Sequence, residues 1–129
     1  MSQQQTPLAI GLAFTQAWTS HDMDTAASYV AHDIVFDGPM NHTTGDKAYM
    51  EALTRFASTV TGLKILAAFG DDQQALIMYE VTTTPFGPIP SAELLTIKDG
   101  KIQADRLIFD TSKMRNAATS LPQSAGTGD

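Results

Sequence analysis

Two carboxylic acids, Glu93 and Asp105, stand inside otherwise apolar runs, SAELLTIK and IQADRLIFD, on either side of Asp99-Gly100. An unpaired carboxylate is costly to bury, so acids in such runs mark either an ion pair or a site that uses a proton. The dipeptide and the β-branched, apolar flanks predict a hairpin. Its turn decides the chemistry. A two-residue type I′ loop at Asp99-Gly100 sets Glu93 beside Arg106, an ion pair, and Leu94 beside Asp105. A three-residue loop, with Lys98 and Asp99 in a type I turn and Gly100 left-handed, shifts the register by one and faces Glu93 with Asp105. Paired acids in an apolar pocket make one of them a proton donor or acceptor near neutral pH.

Other candidates are weaker. Glu80, between Tyr79 and Val81 on the longest apolar run, shares a face with Met78 and reads as a ligand contact or as half of a cross-strand or intersubunit pair. His42 lies in a polar loop and is either a partner for the acids or a solvated histidine. His21 and His32 fall at helix ends and read as structural. The three histidines show no ligand spacing such as H-x-x-x-H, so no metal is expected. With no cysteine and no G-x-S-x-G, nucleophilic catalysis is not indicated. Trp18, Tyr29, Phe36, Phe56 and Phe109 are either pocket lining or core.

The elements that must position these groups follow from composition and period. A chain of 129 residues with 43% hydrophobic content builds one core. A net charge of −6, with eight basic residues scattered singly, speaks against nucleic acid and against an anionic membrane surface as partners. Without an apolar span or a basic-then-apolar leader, no membrane is expected and a cytoplasmic setting is the default.

Thr6 as N-cap and Pro7 in the first turn open a helix of about three turns carrying Leu8, Ile10, Leu12, Phe14, Ala17 and Trp18. A second, shorter helix is read over Asp22 to Ala31 and a short strand over Ile34 to Phe36, ended by Asp37-Gly38-Pro39. Asn41 to Thr44 reads as a polar loop. Thr44 or Asp46 caps a third helix reaching about Ser58, with Tyr49, Met50, Leu53 and Phe56 on its stripe. Then the period becomes extended: Leu63 to Phe69, Ala75 to Thr84, an interruption at Pro85-Phe86-Gly87-Pro88, and the two arms of the hairpin. The expected domains are a flexible start over 1–6, one domain over 7–114 and a disordered tail over 115–129. Helices first and strands after is an α+β pattern with a mainly antiparallel sheet.

The stretch WTSHDMDTAASYVAHDIVFDGP at 18–39, the helix start TGDKAYMEAL at 44–53, and AELLTIKDGKI and LIFD near the end resemble the nuclear transport factor 2-like superfamily and, within it, the SnoaL-like and ketosteroid isomerase-like proteins. The resemblance implies a cone-shaped, cystatin-like roll, three helices on a strongly curved sheet around a deep apolar pocket, commonly dimeric and suited to a small hydrophobic ligand. The ketosteroid isomerase pattern sets Phe14 where a tyrosine is required, Gly38 where the base is required and Glu93 at the neutral acid, with Asp37 beside the missing base. One role of three survives, which speaks against steroid isomerisation. The epoxide hydrolase pattern meets Tyr79-Glu80-Val81 instead of Arg-x-Asp, and Leu107 where an acid is required. The SnoaL-like cyclases need only an acid near the pocket, a role open to Glu93 or Asp105, with His42 as partner. By the family's register Trp18, Phe36 and Phe109 touch the ligand; Phe14, Asp37, His42, Phe56, Met78 and Glu80 are further candidate contacts. The expectation is a cofactor-independent homodimer doing acid/base isomerase, cyclase or hydrolase chemistry on a cyclic ketone or polyketide-like compound. A non-catalytic binding or dimerisation module of the same fold is the alternative.

Overall fold

Thr6 opens the first helix as expected: its Oγ1 accepts the Ala9 N–H at 3.1 Å, and Pro7 occupies a position whose amide needs no partner. The computed structural model describes residues 5–112 and 114. Along the chain come α1 (Pro7–Thr19), α2 (Met23–Ser28), β1 (Val30–Asp37), β2 (His42–Thr44), α3 (Asp46–Ala57), β3 (Val60–Gly70), β4 (Gln74–Thr83), β5 (Gly87–Lys98) and β6 (Lys101–Phe109). The strands form one sheet in the order β2-β1-β6-β5-β4-β3, antiparallel except where β1 runs parallel to β6. This is the expected α+β roll, three helices against a curved, open sheet.

Curvature has a local cause. Register shifts interrupt β1 between Val30 and Val35, β3 at two points, and the β5–β6 pair next to Thr96. Each extra residue bends its strand and sharpens the twist, so the sheet wraps around α1 and α3. Helix α1 lies close on the inner face at Gly11, where a methyl group would stand 3.1 Å from both Ala75 Cβ and Ile77 Cδ1. Phe14, Ile34, Ile77, Leu95 and Ile102 fill the core between the layers.

Four expectations need correction. The second helix stops at Ser28 and β1 begins at Val30, because Asp22 caps a single short turn and Val30 is drawn into pairing with Ile102. The polar loop at Asn41 to Thr44 contains β2, which pairs with the end of β1. Gly45, with φ 95, precedes α3 in place of a side-chain cap. Finally, β5 runs through Pro88 and Pro90 to Gly87. There β6 has ended, its last partner being Ser91, so neither proline owes an amide hydrogen to a strand on that side. Residues 1–4 of the flexible start expected over 1–6, and 115–129, the expected disordered tail, lie outside the described residues. No helix among the described residues is long and apolar enough to cross a membrane.

Candidate functional site

The hairpin turns through two residues: Asp99 (φ 53) and Gly100 (φ 76) are both left-handed, and Lys98 faces Lys101. That turn was expected to put Glu93 beside Arg106, and it does not. Ile97 faces Ile102, but Thr96 faces Ala104, leaving Gln103 unpaired as a bulge. From there Leu95 faces Asp105, Leu94 faces Arg106 and Glu93 faces Leu107. One extra residue therefore carries Asp105 to the inner face, diagonal to Glu93, and sends Arg106 to the outer face. Arg106 finds Asp37 on β1 instead, Nη2 to Oδ2 at 3.1 Å.

Both acids are buried, Glu93 at 4% exposure and Asp105 at 2%. Two tyrosines hold them. Tyr49 on α3 donates its hydroxyl to Asp105 Oδ2 at 2.6 Å, and Tyr79 on β4 donates to Glu93 Oε1 at 2.9 Å. Burial raises the Asp105 pKa well above the usual carboxylate range; the charge of Glu93 and a hydrogen bond to Glu93 add to the rise, and the Tyr49 bond opposes it. Asp105 Oδ1 has no donor among the described residues, which a bare carboxylate could not tolerate at this depth. The raised pKa agrees with that geometry, since burial disfavours the charged form. Both tyrosines are pushed well above their ordinary range by burial first and by the two acids next, so they remain donors.

The pair opens on a cavity of about 210 Å³. Trp18, Phe36, Phe56 and Phe109 form much of its apolar wall. The rings are mutually braced: Trp18 lies 5.9 Å from Phe56 and 6.3 Å edge-on to Tyr79, and Phe36 lies 5.8 Å edge-on to Tyr49. Asn41 and Thr43 supply polar lining, and among the described residues no Lys, Arg or His reaches the cavity. Nor do three His, Asp or Glu side chains gather anywhere among the described residues as a metal site would require.

The remaining candidates lie elsewhere. Phe14 is core, stacked on Tyr49 at 6.3 Å from behind. Asp37 faces outward with Arg106, and His42, its cross-strand partner, is exposed. Met78 and Glu80 share the outer face, Glu80 opposite Lys64 on β3. The strand's period decides this, since Ile77, Tyr79 and Val81 alternate inward. Sequence reasoning passed over Tyr49, Tyr79 and Thr43. For Tyr79 the signal was present, because its alternation with buried Ile77 and Val81 sets it on the inner face.

The model of the SnoaL-like domain matches residues 12–104. The chain belongs to the SnoaL-like family. A solved protein from Kribbella flavida DSM 17836 is 37% identical to this SnoaL-like chain, covering 94% of it and 98% of its own length, with a TM-score of 0.86. An NTF2-like protein of unknown function from Cytophaga hutchinsonii ATCC 33406 shares 20% identity over 89% of this chain and 99% of its own, TM-score 0.76. An LEH-like epoxide hydrolase of M. tuberculosis shares 21% over 85% and 86%, TM-score 0.72. The last two show a common fold and nothing narrower. No curated protein matches the chain.

Proposed function

We propose that this SnoaL-like protein holds a small, uncharged, largely apolar molecule in the cavity and exchanges a proton with it through Glu93 and Asp105, without a cofactor. The observation that carries the reading is the buried carboxyl pair at an apolar wall, with the Asp105 pKa raised by burial and by Glu93. On a cyclic ketone, Glu93 takes the proton from the carbon next to the carbonyl, negative charge moves from the pair to the substrate oxygen, and the proton returns at another carbon. Isomerase and cyclase chemistry both follow from that step; activation of a water by the same pair gives a hydrolase. The test uses 2-tetralone in D₂O, following α-deuteration by NMR. Wild type speeds exchange above buffer, and Glu93→Gln and Asp105→Asn each lose about 100-fold or more of that excess. No excess in wild type would end the catalytic reading.

The non-catalytic alternative also has an observation behind it, because each acid already has a tyrosine donor. Binding of 2-tetralone without exchange favours it. We further propose a homodimer, expected from the family resemblance. The outer face exposes Leu76, Met78 and Ile108 beside Leu94, with Lys64 and Arg106 and the acids Asp37 and Glu80 around them, a mixed charge pattern that a second copy can match. Sedimentation should give a dimer in wild type and a monomer for Met78→Lys; a wild-type monomer at tens of micromolar refutes it.

A further inference from the structure

Among the described residues, three buried polar side-chain atoms have no hydrogen-bond partner: Trp18 Nε1, Thr43 Oγ1 and Asp105 Oδ1. All three residues line the same cavity. Asp105 belongs to the acid pair already assigned to proton exchange; the other two have no role there. Native proteins rarely bury an N–H or O–H without a partner, and an indole that is 2% exposed has no route to bulk water. The partner must come from what the cavity holds.

Their positions give the shape of that partner. The Trp18 ring packs against Tyr79, whose hydroxyl holds Glu93, so the indole belongs to the wall beside Glu93. Thr43 faces Phe36 across the β1–β2 pair, and Phe36 in turn neighbours Asp105 across the β1–β6 pair, so Thr43 belongs to the wall on the Asp105 side. Two donors thus line the cavity that holds the carboxyl pair, one from α1 and one from β2. A ligand that meets both carries two oxygen acceptors on an apolar body. A positive ligand leaves the indole N–H, which can only donate, without a partner; a negative one is opposed by the acids, with no cation in the lining among the described residues.

We propose that Trp18 Nε1–H holds the carbonyl oxygen of a bicyclic ketone, Thr43 Oγ1–H holds a second oxygen at its far end, and the carbon between carbonyl and ring lies over Glu93. This deepens the proton-transfer reading and rests on it for the placement of the reacting carbon; the two recognition contacts stand on geometry alone. Trp18 is then the donor that receives the developing negative charge, and Thr43 sets which end enters first.

Calorimetric binding of tetralin, 2-tetralone and 6-methoxy-2-tetralone separates the contacts. In wild type each added oxygen should tighten binding about 3- to 10-fold. Thr43→Val should abolish the gain from the methoxy group and leave 2-tetralone unchanged. Trp18→Phe, which keeps an aromatic ring, should weaken both ketones by a similar factor and leave tetralin unchanged. Equal loss for tetralin in Trp18→Phe shows a packing role and overturns the indole contact. Unchanged preference in Thr43→Val overturns the threonine contact, and tighter binding of 2-aminotetralin than of 2-tetralone overturns the neutral-ligand assignment. These are binding readouts: absent deuterium exchange with intact preferences defeats only the catalytic reading, and normal exchange with preferences unmoved by either variant defeats only this one.

Discussion

Asp105 and Arg106 are adjacent in the chain and lead opposite lives. On the inner face Asp105 is 2% exposed, bonded to Tyr49, and its pKa is raised by burial and by Glu93. On the outer face Arg106 meets Asp37 in an ion pair whose side chains are 67% and 50% exposed. The same carboxyl group serves two purposes, and dielectric separates them. Water screens the outer pair, so it contributes less than about 1 kcal/mol. Burial and the neighbouring Glu93 raise the pKa of the inner acid, which suits it to the proposed proton transfer.

The sharpest way to break this contrast is to change both aspartates alike. Asp105→Asn should cut α-deuteration of 2-tetralone about 100-fold or more, measured by NMR, whereas Asp37→Asn should leave it within about twofold. A comparable loss in both would mean the faces are not functionally distinct.

A smaller effect concerns stability against pH. The folded state binds the Asp105 proton more tightly than the unfolded chain does. Its contribution is therefore fully present below the ordinary aspartate range and is lost as pH rises toward the folded value, at no more than about 1.4 kcal/mol per unit. Asn at 105 keeps an acceptor for Tyr49 and a donor for Glu93, so thermal melts of Asp105→Asn should be flatter over that window. Asp37→Asn should leave the slope unchanged. Below that in size is Tyr49→Phe, which removes one bond to Asp105 and should cost about 1 kcal/mol in urea unfolding. Because that bond lowers the Asp105 pKa, its loss moves the titration upward.

Much of this was legible in the chain, for physical reasons. Thr6-Pro7, the period change after Gly62 and Asp99-Gly100 are local signals, and they mark the first helix, the start of the long strands and the hairpin turn. The acids stood out because they interrupt apolar runs. What was not legible was the bulge at Gln103: nothing in Ile102-Gln103-Ala104 marks which residue goes unpaired, since the choice is made by packing of Asp105 inward and Arg106 outward, and by β1 alongside. Tyr49 was equally hidden. It reads as one more residue on an apolar helix stripe, and its partner lies 56 residues away. Pairings over such distances are fixed by the fold as a whole, which is also why Asp37 and Glu80 could be read as site residues before the sheet's outer face was known.

Carboxyl ¹³C NMR of Asp105 across a pH series, in wild type and in Glu93→Gln, tests the coupling of the two acids most directly. The expected result is a wild-type midpoint well above the ordinary aspartate value of about 3.9 and a lower midpoint once the Glu93 charge is removed. A wild-type midpoint near about 4, or one that Glu93→Gln does not move, would contradict the account.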